Sequence, residues 1–189
     1  MDERKWIERI LAGDTQSFSC LVAKYEKMAY TIALRILENR EEAEEAVQDA
    51  FVKMYRALSD FHFDSKFSTW FYRIVYRTAL TALRQQRMFV SYEEAGPVDL
   101  SNDEVESATA LLEREDRKEM IARTLKKLPA DEALLLTLYY LEECSVEEIC
   151  QITELSASNV KVKLFRGRKR FYEVLQDKMK LETADLLLI

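Results

Sequence analysis

Apolar residues recur along this chain at three- and four-residue steps, and no run alternates apolar and polar positions for long enough to make a half-buried strand. In EEAEEAVQDAFVKMYRAL, Val47, Ala50, Phe51, Met54 and Leu58 form one stripe that a helix would bury, with Glu45, Gln48, Asp49, Lys53 and Arg56 on its other face. In FDSKFSTWFYRIVYRTALTALR, Phe67, Phe71, Ile74 and Val75 repeat that spacing. Farther on, Ser145 and Glu148 have the three-residue step of a capping box, which predicts a helix to about Ile152. Thr153-Glu154-Leu155 makes a short connection, and Ser156 is placed to cap a second helix from Ala157, with Val160, Leu164, Phe171 and Val174 near one face. With only 3 glycines and 2 prolines there are few turns, so the fold predicted is all-α.

Charge divides this helical pattern in two. Lys66, Arg73, Arg77, Arg84 and Arg87 lie in a stretch from Lys66 to Tyr92 that has no carboxylate. Glu93 to Asp116 is acidic, contains the pair Gly96-Pro97, and reads as a flexible linker. Beyond it, Ala157 to Tyr172 again lacks any acid. The expected organisation is two small helical domains, residues 1–90 and 117–180, joined by an acidic linker over 91–116 and followed by a tail over 181–189. The formal net charge of −6 therefore conceals two basic zones, and it is charge distribution that selects partners.

Other chemistry is scarce. Cys20, Cys144 and Cys150 have no metal-ligand spacing, and with His62 as the single histidine no zinc site assembles by the usual rules. The cysteines read as reduced core residues and His62 as a loop residue. No P-loop, GxGxxG or GxSxG motif occurs, so neither an enzyme nor a cofactor nor a small-molecule substrate is expected. MDERKWIERI is charged from its second residue, and ALLLTLYYL is about half the ~18 residues a spanning helix needs. A soluble, cytoplasmic protein is expected.

Two helices joined by three or four residues, the second cationic, describe a helix-turn-helix. Its second helix would enter a major groove, with Ser156, Ser158 and Asn159 near base edges and Lys161, Lys163, Arg166 and Lys169 on phosphates. A solvated amphipathic helix is the alternative, and the absence of acids from Ala157 to Tyr172 weighs against it. The aromatic and cationic mixture around Trp70, Tyr72, Arg73, Tyr76 and Arg77 has the ingredients of a single-strand groove, although Trp70, Tyr72 and Tyr76 suit core packing equally well.

The segment LKKLPADEALLLTLYYLEECSVEEICQITELSASNVKVKLFRGRKRFYEVL resembles the C-terminal, minus-thirty-five-reading domain of extracytoplasmic-function sigma factors of the sigma-70 family. EEAEEAVQDAFVKMYRAL is similar to that family's core-polymerase-binding helix, and FDSKFSTWFYRIVYRTALTALR to its minus-ten recognition and melting segment. The resemblance implies core contacts by Glu45, Gln48, Asp49 and Lys53. It implies minus-ten contacts by Phe63, Asp64, Ser65, Lys66, Trp70, Tyr72, Arg73, Tyr76, Arg77 and Arg84, the loop before the helix capturing an extruded base. Duplex minus-thirty-five contacts would fall to Ser156, Ser158, Asn159, Lys161, Lys163, Phe165, Arg166 and Lys169. It further implies core RNA polymerase and promoter DNA as partners, stress or envelope signals as the trigger, and admits an anti-sigma factor. The acidic linker would run towards the RNA exit path or remain a solvated tether. Two positions depart from the family pattern: Glu154 stands where glycine is common in the turn, and Arg77 where asparagine is common. The rivals are a helix-turn-helix regulator that binds its operator as a dimer without polymerase, and a helical adaptor whose cations are merely solvated.

Overall fold

The computed structural model describes the backbone of residues 3–90 and 112–186, with side chains over 3–86 and 119–177. Eight α-helices account for it: α1 Glu3–Leu11, α2 Thr15–Leu37, α3 Arg40–Arg56, α4 Phe67–Val90, α5 Leu112–Lys126, α6 Ala130–Tyr140, α7 Val146–Thr153 and α8 Ala157–Leu186. A single 3₁₀ turn, Leu58–Asp60, follows α3, and no strand occurs among the described residues.

Local chemistry sets the boundaries. Gly13, at φ +96°, makes the turn before α2, and Asp14 caps that helix by accepting from the Gln16 amide at 2.9 Å. Asn39 caps α3 by accepting from the Glu42 amide at 3.1 Å. The capping box of α7 is complete: the Glu148 amide donates to Ser145 Oγ at 3.1 Å, and the Ser145 amide donates to Glu148 Oε2 at 2.8 Å. The Asn159 amide donates to Ser156 Oγ at 3.3 Å, starting α8 at Ala157. Two boundaries differ from expectation. α5 begins at Leu112, inside the stretch read as linker, and α8 continues to Leu186, past residue 180. The remaining linker residues, 91–111, lie outside the described residues.

Helices α2, α3 and α4 pack together as a three-helix core with α1 laid against α2. Leu21, Ile32, Ala50, Met54, Phe71 and Val75 are all buried there, so the stripes read from α3 and α4 do face inward. Each large apolar side chain removed from water in this way contributes about 1.5–3 kcal/mol. The second domain closes α5, α6 and α7 around the first half of α8, through Leu125, Leu135, Leu138, Ile149, Ile152, Val160 and Leu164. Gly167 lets α8 approach α6 closely: a Cβ there would stand 3.2 Å from Leu136 Cδ1. The two domains also touch, α4 against α7 and α2 against α6, and their buried residues form one continuous cluster.

The cysteines divide. Cys144 is buried, and burial pushes its thiol up to about 11, which keeps it protonated and unreactive. Cys20 corrects the expectation of a core residue: it is exposed on α2, off the stripe of Ser17, Leu21, Tyr25 and Met28.

Candidate polymerase and nucleic-acid interfaces

The outer face of α3 carries Glu45, Gln48 and Asp49, all exposed, as a helix with its other side in the core requires. Lys53 is also exposed, but its ammonium donates to Thr78 Oγ1 on α4 at 3.3 Å, which ties it to the neighbouring helix. Val52 is 47% exposed and Tyr55 48% exposed on the same side. Sequence reasoning passed over them. An apolar residue between two polar ones on an otherwise charged face was the available signal, because solvent gives no reason for it.

Before α4, the loop holds an aromatic cluster. Phe61 is buried and lies 5.0 Å from the Trp70 ring, centroid to centroid. Phe63 packs outside it with its ring tilted at 4.7 Å, stays exposed, and adopts φ 60°. For a bulky residue that left-handed backbone is strained by roughly 1–2 kcal/mol. The Arg4 guanidinium lies 5.0 Å from the centre of the Phe63 ring and holds it in place. Asp64 and Lys66 are exposed and Ser65 half-buried beside it, so Phe63 to Lys66 do form one accessible edge.

Along α4, Trp70, Arg73 and Tyr76 are half-buried, while Arg77 and Arg84 are exposed. Tyr72 takes the core-packing alternative. It is only 2% exposed, and its hydroxyl donates to Glu142 Oε2 at 2.7 Å. Burial and the adjacent Glu142 carboxylate raise its hydroxyl well above the usual phenol range. Position 72 falls on the inward side together with Phe71 and Val75, so its ring packs in the core and offers no stacking platform here.

On the helix-turn-helix, Ser156, Ser158, Asn159, Lys161, Phe165, Arg166 and Lys169 are all exposed. Phe165 is 64% exposed, a large apolar ring in water on a helix whose other face is core. Val162 lies between these residues, 46% exposed, and was missed because an isolated valine carries no charge signal. An apolar group there suits the methyl of thymine. Lys163 is the exception. It is turned towards α6, where its ammonium pairs with Asp131 inside the same domain. The turn itself is tight, because Glu154 takes φ 61°.

These surfaces meet at the domain contact. Lys66 Nζ lies 3.0 Å from Glu148 Oε1, and Thr69 Oγ1 donates to the same oxygen at 3.4 Å. Arg77 Nε donates to Glu154 Oε1 at 2.8 Å, so the two departures from the family pattern are partners in one ion pair. Arg35 on α2 donates from Nη1 to the Leu125 carbonyl at 3.3 Å. Burial pushes the Glu148 carboxyl up, but the Ser145 amide and Lys66 outweigh it and hold the group below its usual range. The hydrogen bond to Glu148 in turn raises Lys66. None of the described residues group into a His, Cys, Asp and Glu cluster able to hold a metal, and no described helix is long and apolar enough to cross a membrane.

Residues 21–88 match sigma-70 region 2, and residues 118–171 match sigma-70 region 4. Two such regions on one chain define a sigma-type initiation factor, which acts with core RNA polymerase on promoter DNA and carries out no covalent chemistry of its own. The chain belongs to the extracytoplasmic-function sigma factors of the sigma-70 family. It is 32% identical over 181 residues to the RNA polymerase sigma-H factor of Pseudomonas aeruginosa, covering 92% of this chain and 94% of that one. It is 31% identical over 170 residues to the ECF RNA polymerase sigma-E factor of Escherichia coli K12, covering 86% and 88%. The fold is similar to that of the sigma factor RpoE of Bartonella quintana, solved with the anti-sigma factor NepR (TM-score 0.69, 18% identity, 85% of this chain and 98% of that chain). It is similar also to CnrH, solved with the cytosolic domain of CnrY (TM-score 0.60, 21% identity, 93% and 97%).

Proposed function

We propose that this sigma factor works in the cytoplasm and assigns its tasks to three faces. Glu45, Gln48 and Asp49 on α3, with Val52 and Tyr55 beside them, dock on core polymerase. Phe63 to Lys66 and the Trp70, Arg73, Tyr76, Arg77 and Arg84 side of α4 take the single-stranded minus-ten element. The exposed face of α8, from Ser158 to Lys169, reads the minus-thirty-five duplex. The observation that carries the reading is this last face: cations, small polar groups and one ring stand exposed on the second helix of a helix-turn-helix, with no carboxylate on α8 before Glu173. A structural neighbour solved in complex with an anti-sigma factor supports a protein inhibitor as a further partner. Stress or envelope signals are the expected trigger.

The test is run-off transcription with purified core enzyme on a promoter from the gene's own neighbourhood, for the wild type and for Gln48→Ala with Asp49→Ala. The double variant is expected to need more factor to saturate core enzyme while its thermal stability stays within ~0.5 kcal/mol, since exposed substitutions rarely do more. Specific duplex binding by the chain alone, with no transcription alongside core enzyme, would instead indicate an independent regulator.

A further inference from the structure

We propose that the contact between the two domains is an autoinhibitory clamp, in which Glu148 and Glu154 hold Lys66 and Arg77, two cations of the surface that promoter DNA would use, while Glu142 latches the buried Tyr72 beside them. The inference rests on the assignment of that face to the minus-ten element. Each of the three carboxylates comes from the second domain, and each meets a polar group of α4 or the residue before it. Glu142 accepts from Tyr72, Glu148 takes Lys66 and Thr69, and Glu154 takes Arg77. Anionic oxygens offered to cations and hydroxyls along a helix are what a nucleic-acid strand offers the same groups.

Glu154 gives the strongest indication that the contact has a purpose. At φ 61° it holds a left-handed conformation that costs a non-glycine residue roughly 1–2 kcal/mol and costs glycine nothing comparable. What glutamate adds over glycine at this turn is a carboxylate, and that carboxylate is placed on Arg77. Tyr76, one position earlier on α4, also lies near Glu154 and Asp131, whose charges join burial in raising its hydroxyl. The Arg77–Glu154 pair is the releasable part of the clamp. The side chains of Arg77 and Glu154 are 59% and 55% exposed, and ion pairs so exposed contribute little individually. Because both partners belong to one chain, the effective concentration is high, and weak pairs add to the packing of α7 on α4 and of α6 on α2 in keeping it closed. A partner that engages one domain, or phosphates that compete for α4, would open it.

Small-angle scattering of the full chain tests the clamp, alongside binding of a labelled single-stranded minus-ten oligonucleotide at matched salt. The variants are Glu154→Gly, which removes the carboxylate and the strain together, and the triple change Glu142→Gln, Glu148→Gln and Glu154→Gln. Glutamine at 148 retains the capping box. Both variants should have a larger radius of gyration than the wild type at about 0.1 M salt, and the wild type should expand towards them at about 0.5 M. Oligonucleotide affinity of the free chain should rise roughly two- to tenfold in the variants. Unchanged dimensions overturn the clamp, and so does expansion without tighter binding. If the triple variant loses helicity by circular dichroism, Glu154→Gly decides. Run-off transcription separates the two levels: an intact yield with unchanged compaction removes the clamp alone, whereas an inactive wild-type holoenzyme removes the promoter reading beneath it.

Discussion

Phe63 concentrates, in one side chain, the tension between folding and use. Its backbone is strained, its ring is 41% exposed, and what holds it is Phe61 on one side and the Arg4 guanidinium on the other. On the proposed minus-ten reading, a ring kept in that state would be pre-positioned for a base. Replacing Phe63 by Gly relieves the backbone while removing the ring, so the two effects on stability oppose each other and should nearly cancel, to within about 1 kcal/mol. Loss of one stacking platform costs ~1–3 kcal/mol of single-strand binding, so transcription from a duplex promoter should fall about tenfold or more. Comparing thermal melts with run-off yields checks both halves, and a yield equal to wild type would remove Phe63 from the reading surface. The residue scale is also where sequence reasoning was weakest. Tyr72 and Phe63 are both aromatic residues in one cationic segment, and only packing distinguishes the ring that is buried from the ring that is offered.

The helix-turn-helix shows how much an element can be read in advance. Its boundaries follow from hydroxyl caps at Ser145 and Ser156, which act within three residues and so are visible in the sequence. Ser145→Ala should lower the stability of the second domain by about 1 kcal/mol, seen as a lower melting temperature of the full chain; an unchanged melt would mean the cap is redundant. Which cations of α8 reach DNA was not legible in this way. Lys161, Lys163 and Arg166 look alike in the sequence, but Lys163 is spent on Asp131 within its own domain, a contact that survives any opening between domains. With holoenzyme on a minus-thirty-five duplex, Lys161→Ala or Arg166→Ala should each reduce the slope of log affinity against log salt by about 0.9 if it loses a phosphate. Lys163→Ala should leave that slope near the wild-type value. A loss from Lys163→Ala as large as from the others would show that the Asp131 pair yields to DNA.

For the whole molecule, the titration of Glu148 links the domain contact to pH. Its folded-state carboxyl lies below the ordinary value of 4.5, held there against burial by the Ser145 amide, Lys66 and Thr69. A depressed carboxyl stabilises the folded form fully above its unfolded value, and that contribution is lost as pH falls through the folded one. The native state should therefore lose stability below about pH 4.5, with α7 losing its cap and α4 losing its partner together. Urea midpoints measured from pH 7 down to pH 3 should fall less steeply for Glu148→Gln than for the wild type. Parallel curves would show that other carboxylates carry the acid response.

The all-helical class, the buried stripes of α3 and α4, the capping box of α7 and the two basic zones were all determined by the sequence alone. Each depends on residues within a few positions of one another, where the 3.6-residue period and the reach of a hydroxyl set the geometry. The tertiary structure alone decided that Arg77 meets Glu154, that Lys66 meets Glu148 and that Tyr72 is closed under Glu142. These partners stand some 70 to 82 positions apart in the chain, beyond any periodicity. Their meeting depends on how α7 packs across α4, which no local pattern records. The same basic segment that is proposed as a DNA face is therefore found holding carboxylates of its own chain.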